Sequence, residues 1–158
     1  MQTDYFNKSR ETVKNGDSKQ YVTFIVGDET YGVSVIKVQS INEMMEITHV
    51  PKTLFFIKGL INLRGAVIPV IDMRKKFNLP PKEYDSLTVI LIVEVNRRLI
   101  GMIADSVSDV VSFPVSDIKT NINFSAKVDT SAIEGVGMSG DSLIILLDVD
   151  TFLNIENI

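Results

Sequence analysis

Ile57-Lys58-Gly59-Leu60-Ile61-Asn62-Leu63-Arg64-Gly65-Ala66-Val67-Ile68-Pro69-Val70-Ile71-Asp72 reads as two short strands folded back on each other. Ile57 to Leu63 and Ala66 to Ile71 are rich in β-branched residues, and Arg64-Gly65 between them makes a two-residue turn. Asp72 is placed to accept from the first free backbone N–H groups of a short helix, Met73 to Phe77, and Pro80-Pro81 stops that helix. The same plan returns further on. Ile57, Gly59, Ile68 and Asp72 reappear as Ile133, Gly135, Ile144 and Asp148, all displaced by 76 residues, and a second Asp-capped helix candidate follows at Val149 to Leu153.

The flanking sequence carries a second repeat. Gln20 to Val26, the turn Gly27-Asp28-Glu29 and Thr30 to Val35 form a hairpin pattern. Val38 and Ile41 continue it, and Pro51 breaks it before Leu54, Phe55 and Phe56. Leu87 to Val95, a turn at Asn96-Arg97, and Leu99 to Val110 reproduce this hairpin, with Gly101 and Val107 where Gly32 and Val38 stood, displaced by 69 residues. Two related β-units in tandem are expected, the second longer by a seven-residue insertion. About five short strands per unit suit a small closed barrel, since closure removes the exposed edges. A unit of about 65 residues buries little surface alone, so a shared apolar interface is expected. The fold class is therefore all-β, two five-stranded barrels in tandem with short helices. Met1 to about Lys19 lacks any apolar period and reads as a flexible tail (1–19), leaving 20–158 as one domain of two packed subdomains.

Composition narrows the chemistry. The chain has 158 residues, 45% hydrophobic and 23% charged, which suits a compact globular protein. No apolar run approaches the roughly 18 residues of a membrane span, and the first residues hold no signal-peptide core, so a cytoplasmic location without membrane insertion is expected. Cysteine is absent, which excludes disulfides, thiolate metal sites and thiol nucleophiles. A net charge of −4 disfavours a nucleic-acid partner, whose affinity rests on surplus Lys and Arg. The single imidazole, His49, lies beside Val50-Pro51 and reads as a loop residue, not as a triad base. Asp105, Asp109, Asp148 and Asp150 form no EF-hand loop and read as capping or solvated carboxylates. Gly135-Val136-Gly137 with Gly140 leads into a strand, which rules out a phosphate loop before a helix. Arg74-Lys75-Lys76 and Arg97-Arg98 read as solvated faces. A scaffold with no catalytic residues, cofactor or metal site binds other proteins through exposed patches; the alternative is a small nucleic-acid-binding barrel.

One asymmetry between the repeats marks a binding residue. Arg64-Gly65 and Gly140-Asp141 occupy equivalent turns, and turn geometry explains glycine but makes no demand for arginine. Arg64 offers a rigid five-donor fork of the kind enriched at interface hot spots.

The run Ile57 to Asp72 resembles the signature of the CheW family of chemotaxis coupling proteins. So do Gly27-Asp28-Glu29 with Tyr31-Gly32, Lys37-Val38-Gln39, Gly101 with Asp105 to Val110, Val128-Asp129-Thr130, Ile133-Glu134-Gly135 and Leu146-Leu147-Asp148. The resemblance runs from about Tyr21 to Leu153. It extends to the regulatory domain of the histidine kinase CheA and to CheV, but with Met1 at one end and little beyond the fold at the other, a free-standing coupling protein is expected. The resemblance implies two SH3-like barrels, no enzymatic activity, and two partners: CheA through its regulatory domain, and the cytoplasmic tip of a chemoreceptor. Receptor contacts are implied at Val38, Gly59, Arg64, Gly65, Gly101, Val107 and Val110, in a groove between the barrels. Kinase-side and ring contacts are implied at Val89, Phe124 and Gly135. Many members carry Glu after the Val-Gln pair, able to pair with the signature arginine; here Ser40 stands there, with Glu43 the candidate substitute.

Overall fold

The computed structural model of the chain describes residues 18–120 and 130–154. Ten strands alternate with turns and two one-turn helices: β1 Ser18–Val26, β2 Glu29–Ser34, β3 Val38–Glu43, β4 Ile57–Leu63, β5 Ala66–Asp72, α1 Met73–Lys76, β6 Val89–Val95, β7 Arg98–Ala104, β8 Ser106–Pro114, β9 Ile133–Ser139, β10 Ser142–Leu147 and α2 Val149–Phe152. The first strand starts at Ser18, so Ser18 and Lys19 of the expected tail pair with Pro114 and Phe113. Met1 to Asp17 lie outside the described residues.

The strands form two five-stranded sheets, ordered β8-β1-β2-β10-β9 and β3-β6-β7-β5-β4. The repeats are exchanged between them. The chain lays down β1 and β2, builds the whole second sheet with β3 to β7, then returns to complete the first with β8 to β10. Each sheet thus takes two strands from one repeat and three from the other, and barrels made of consecutive strands are not what forms. A repeat identifies strands but not their partners, and register decides those: Val38 sits opposite Val93, and its counterpart Val107 opposite Phe24. Each sheet holds one parallel pair, β2 with β10 and β5 with β7.

Each barrel is closed by chain just past a strand. Beyond β3, Thr48 exchanges backbone hydrogen bonds with Leu60 of β4, both 2.8 Å; beyond β8, Lys119 does the same with Val136 of β9, at 2.9 and 2.8 Å. These closures explain the repeated glycines. A Cβ on Gly59 would lie 2.2 Å from the Thr48 carbonyl oxygen, and one on Gly135 would lie 2.9 Å from that of Lys119. The ladders slip at the same place in both barrels, across Lys58 and across Glu134, as β-bulges do where a barrel turns its corner.

Three apolar clusters follow. Tyr21, Phe113, Ile144 and Leu146 fill the first barrel. Ile61, Ile68, Val70, Ile90, Ile92 and Ile103 fill the second. The largest cluster lies between the barrels and joins Phe24, Tyr31, Val38, Leu91, Val93 and Met102 to Phe77 just past α1 and Phe152 in α2. Phe24, Tyr31 and Phe77 stack in series, with centroids 6.0 and 4.9 Å apart, and Phe152 meets Phe77 in a tilted contact at 5.5 Å. The shared interface expected from unit size is therefore the main core. The barrel interiors fill by exchange of volume, as close packing requires. Ile61 and Met44 serve in the second barrel where the first has Gly137 and Phe113, and the Phe113 ring reaches to 2.7 Å from where a Gly137 Cβ would stand.

Candidate functional site: hairpin tip and interbarrel corners

The β4–β5 turn carries the residue singled out from sequence. Arg64 has φ 53 and Gly65 φ 86, the positive pair of a type I′ hairpin, and Gly65 donates its N–H to Asn62 Oδ1 at 2.9 Å. Arg64 thus occupies left-handed backbone, where the second repeat places Gly140 at φ 60. An L-residue there costs on the order of 1 kcal/mol. Its side chain is exposed, Val67 beside it is 65% exposed, and among the described residues no carboxylate lies within ion-pair distance of Arg64. Glu43, the candidate substitute, lies exposed at the end of β3, and Ser40 Oγ instead accepts from Asn42 at 2.9 Å.

The other positions divide by burial. Val38 is fully buried in the central cluster. Gly59 lies under the closing bridge, and a Cβ on Gly101 would stand 2.9 Å from Ile90 Cγ2 and 3.1 Å from Val70 Cγ2. Val107 and Val110 are half-buried on β8, at the edge of the first barrel, with their inner sides on the central cluster. The bulge between them is pinned by Thr23, whose hydroxyl donates to the Asp109 carbonyl and accepts from the Asp109 N–H, both 3.0 Å. Val89 is half-buried at the start of β6. Gly135 is buried under the second closing bridge, and Phe124 lies outside the described residues.

The charged corners depart from expectation. Arg74 reads from the sequence as solvated and Asp105 as a capping or solvated carboxylate, yet they form a bidentate pair, Nε to Oδ1 at 2.9 Å and Nη2 to Oδ2 at 2.7 Å, with side chains only 19% and 14% exposed. Arg74 also donates to the Pro80 carbonyl, and Asp105 accepts from the Gly27 N–H. One ion pair thereby ties α1, the β7–β8 corner and the β1–β2 turn together. Burial opposes the Asp105 charge, but the guanidinium and the Gly27 amide hold its carboxyl below the usual range. The repeat offered a signal. Asp150, which stands in α2 where Arg74 stands in α1, pairs with Lys37 at 2.9 Å, so both corners carry an ion pair with polarity reversed.

Asp72 caps α1 as expected, accepting from the Arg74 and Lys75 N–H groups, and its second oxygen accepts from Tyr84. Burial, with Asp72 alongside, pushes the Tyr84 hydroxyl above its ordinary value, so it stays a donor. Asp148 does not cap α2 through its side chain; it accepts from the Thr151 hydroxyl at 3.0 Å. Tyr84 fills the corner beside α1. The corner beside α2 stays open as a cleft of about 420 Å³ lined by Ile36, Lys37, Glu134 and Asp150.

No helix among the described residues is long and apolar enough to cross a membrane. Residues 20–157 match the family model of the CheW-like domain. The chain is 35% identical to the chemotaxis protein CheW of Klebsiella aerogenes over 138 residues, covering 87% of this chain and 83% of that one. It is 33% identical to that of Bacillus subtilis over 145 residues, covering 92% of each. The crystal structure of the scaffolding protein TtCheW from Thermoanaerobacter tengcongensis superposes with a TM-score of 0.79 at 31% identity, covering 87% of this chain and 89% of that one. With the exchanged barrels, their paired closing bridges and the strained arginine turn all lying inside the matched span, the chain belongs to the CheW-like domain family.

Proposed function

We propose that this chain is a chemotaxis adaptor that couples chemoreceptors to the histidine kinase CheA, with the β4–β5 tip as its receptor contact. The observation that carries the receptor contact is Arg64: exposed, without an ion-pair partner among the described residues, and held at φ 53 where glycine would be cheaper. Strain kept at an exposed charge points to binding. Arg64, Gly65, Val107 and Val110 offer surface to the receptor tip, while the buried Val38, Gly59 and Gly101 act by fixing the strands behind it. The regulatory domain of CheA docks near Val89 and Gly135, and Phe124 serves a further contact within the array. The protein works in the cytoplasm, held at receptor arrays through these partners, and has no turnover of its own.

Reconstitution tests this. Adding the purified chain to CheA and a receptor cytoplasmic fragment should change kinase autophosphorylation, and omitting the receptor should abolish the change. No effect in the three-component mixture overturns the reading, as does nucleotide or ester hydrolysis by the chain alone that a point mutation removes.

A further inference from the structure

A cleft of about 260 Å³ beneath the β3–β4 loop is lined by His49, Lys52, Lys58 and Lys75, with no Asp or Glu among its lining residues. The three lysines come from separate places: the loop, the β4 bulge and α1. In a chain of net charge −4, such convergence costs self-repulsion that a counter-charge would relieve. Four other cations of this protein have found theirs. Lys19, Lys37, Arg74 and Lys82 each pair with a carboxylate, whereas among the described residues Lys52, Lys58 and Lys75 pair with none. Lys58 lies over the Tyr84 ring, 5.4 Å from its centroid.

Two further observations fall on the same loop. Lys52 has φ 63, left-handed backbone that a lysine enters only against strain. Leu54 and Phe55, which also line the cleft, are 49% and 65% exposed. Unpaired cations, a strained backbone and bare apolar side chains thus share one concavity. We propose that this cleft docks an acidic segment of a partner protein, a short stretch with two or more carboxylates beside an apolar residue. The carboxylates enter between the lysines, and the apolar residue lies on Leu54 and Phe55. Lysine suits this, being a point charge that takes a carboxylate without the bidentate geometry arginine imposes. A cleft of about 260 Å³ has room for a few side chains of a peptide, and its charge selects acidic ones. None of its lining residues is among the receptor-contact positions proposed above.

The test uses the full chain and a fluorescein-labelled Glu-Glu-Leu-Glu-Glu peptide, followed by anisotropy at low and near-physiological ionic strength. Saturable binding that weakens with salt is expected. Lys52→Gln with Lys75→Gln should weaken it roughly ten-fold, while Arg97→Gln with Lys119→Gln, which removes two exposed charges elsewhere, should leave it unchanged. Lys52→Gly guards against a folding artefact: it relieves the positive φ, so it should melt no lower than the parent yet still bind roughly three-fold more weakly. The proposal is overturned by absence of saturable binding, by equal loss in the control pair, or by equal affinity for a Gln-Gln-Leu-Gln-Gln peptide. Capture by phosphatidylglycerol vesicles without affinity for the acidic peptide also overturns it, and would make this face a lipid-binding surface.

Discussion

At Arg64, stability and binding pull apart. Its φ of 53 penalises any residue with a Cβ, so Arg64→Ala keeps the strain and should change unfolding free energy by less than about 0.5 kcal/mol. Arg64→Gly removes the strain and should stabilise the fold by about 0.5–1 kcal/mol, net of the greater freedom of the unfolded glycine. Both should weaken receptor association by about 1–3 kcal/mol, the range for truncating a hot-spot arginine. Urea unfolding and titration with a receptor fragment measure the two effects separately. A large stability loss in Arg64→Ala would make the residue structural, and unchanged affinity in both variants would return it to a solvated charge. Asp105 gives the converse case, a charge that serves the fold. Asp105→Asn leaves the Arg74 guanidinium unpaired at a mostly buried corner, so the expected loss is about 2–3 kcal/mol, somewhat below that for a fully buried pair. The folded pKa of Asp105 is depressed, so its stabilisation is fully present above the unfolded value of about 3.9. It is lost as pH falls through the lower folded value. Asp105→Asn should therefore flatten the acid limb of a stability–pH profile, and an unaltered limb would mean that the pair contributes nothing to linkage.

Among the elements, what was legible in the sequence and what was not divide along one line. Strands, turns and the α1 cap could be read because they depend on neighbours in sequence: Asp72 accepts from amides two and three residues on. The partner of each strand could not. Nothing local to Val38 says that it will face Val93 instead of a strand of its own repeat, and nothing local to Arg74 says that Asp105 will lie in reach. For the same reason Gly59 and Gly135 could be seen to repeat, while their cause lay in chain that returns to close each barrel. Their geometry now ranks them. A Cβ on Gly59 would strike a backbone carbonyl at 2.2 Å, at φ 155, where little can yield. One on Gly135 would first meet the Ile118 Cγ2 atom at 2.6 Å, at a backbone angle open to any residue. Gly59→Ala should cost about 3 kcal/mol or more and Gly135→Ala about 1–2 kcal/mol, as overpacking of a side chain does. Denaturant midpoints decide the order, and a reversed order would show that the first closing bridge gives way easily.

For the whole molecule, exchange of strands between the repeats makes the barrels interdependent, and this separates the observed topology from two barrels formed in succession. In the latter case, cutting the chain in the exposed connection before β6 would leave two pieces, each able to close its own barrel. Here residues 1–86 contain β1 to β5, which supply only β1 and β2 to one sheet and β3, β4 and β5 to the other. That piece lacks β10, on which β2 pairs in parallel, and β6 and β7, which lie between β3 and β5. Residues 87–158 lack the complementary strands. Both pieces also divide the central cluster, the largest apolar burial in the protein, and at this size neither could offset its conformational entropy with what remains. Each fragment alone should therefore show no cooperative thermal transition. Mixed in equal amounts they should recover strand content and a single transition whose midpoint rises with concentration, as expected when folding and association are one event. Circular dichroism on the separate and mixed fragments makes the comparison. Cooperative unfolding of either fragment alone would show that its strands can close a barrel without the other repeat, and the exchange would then be a matter of packing and not a condition of folding.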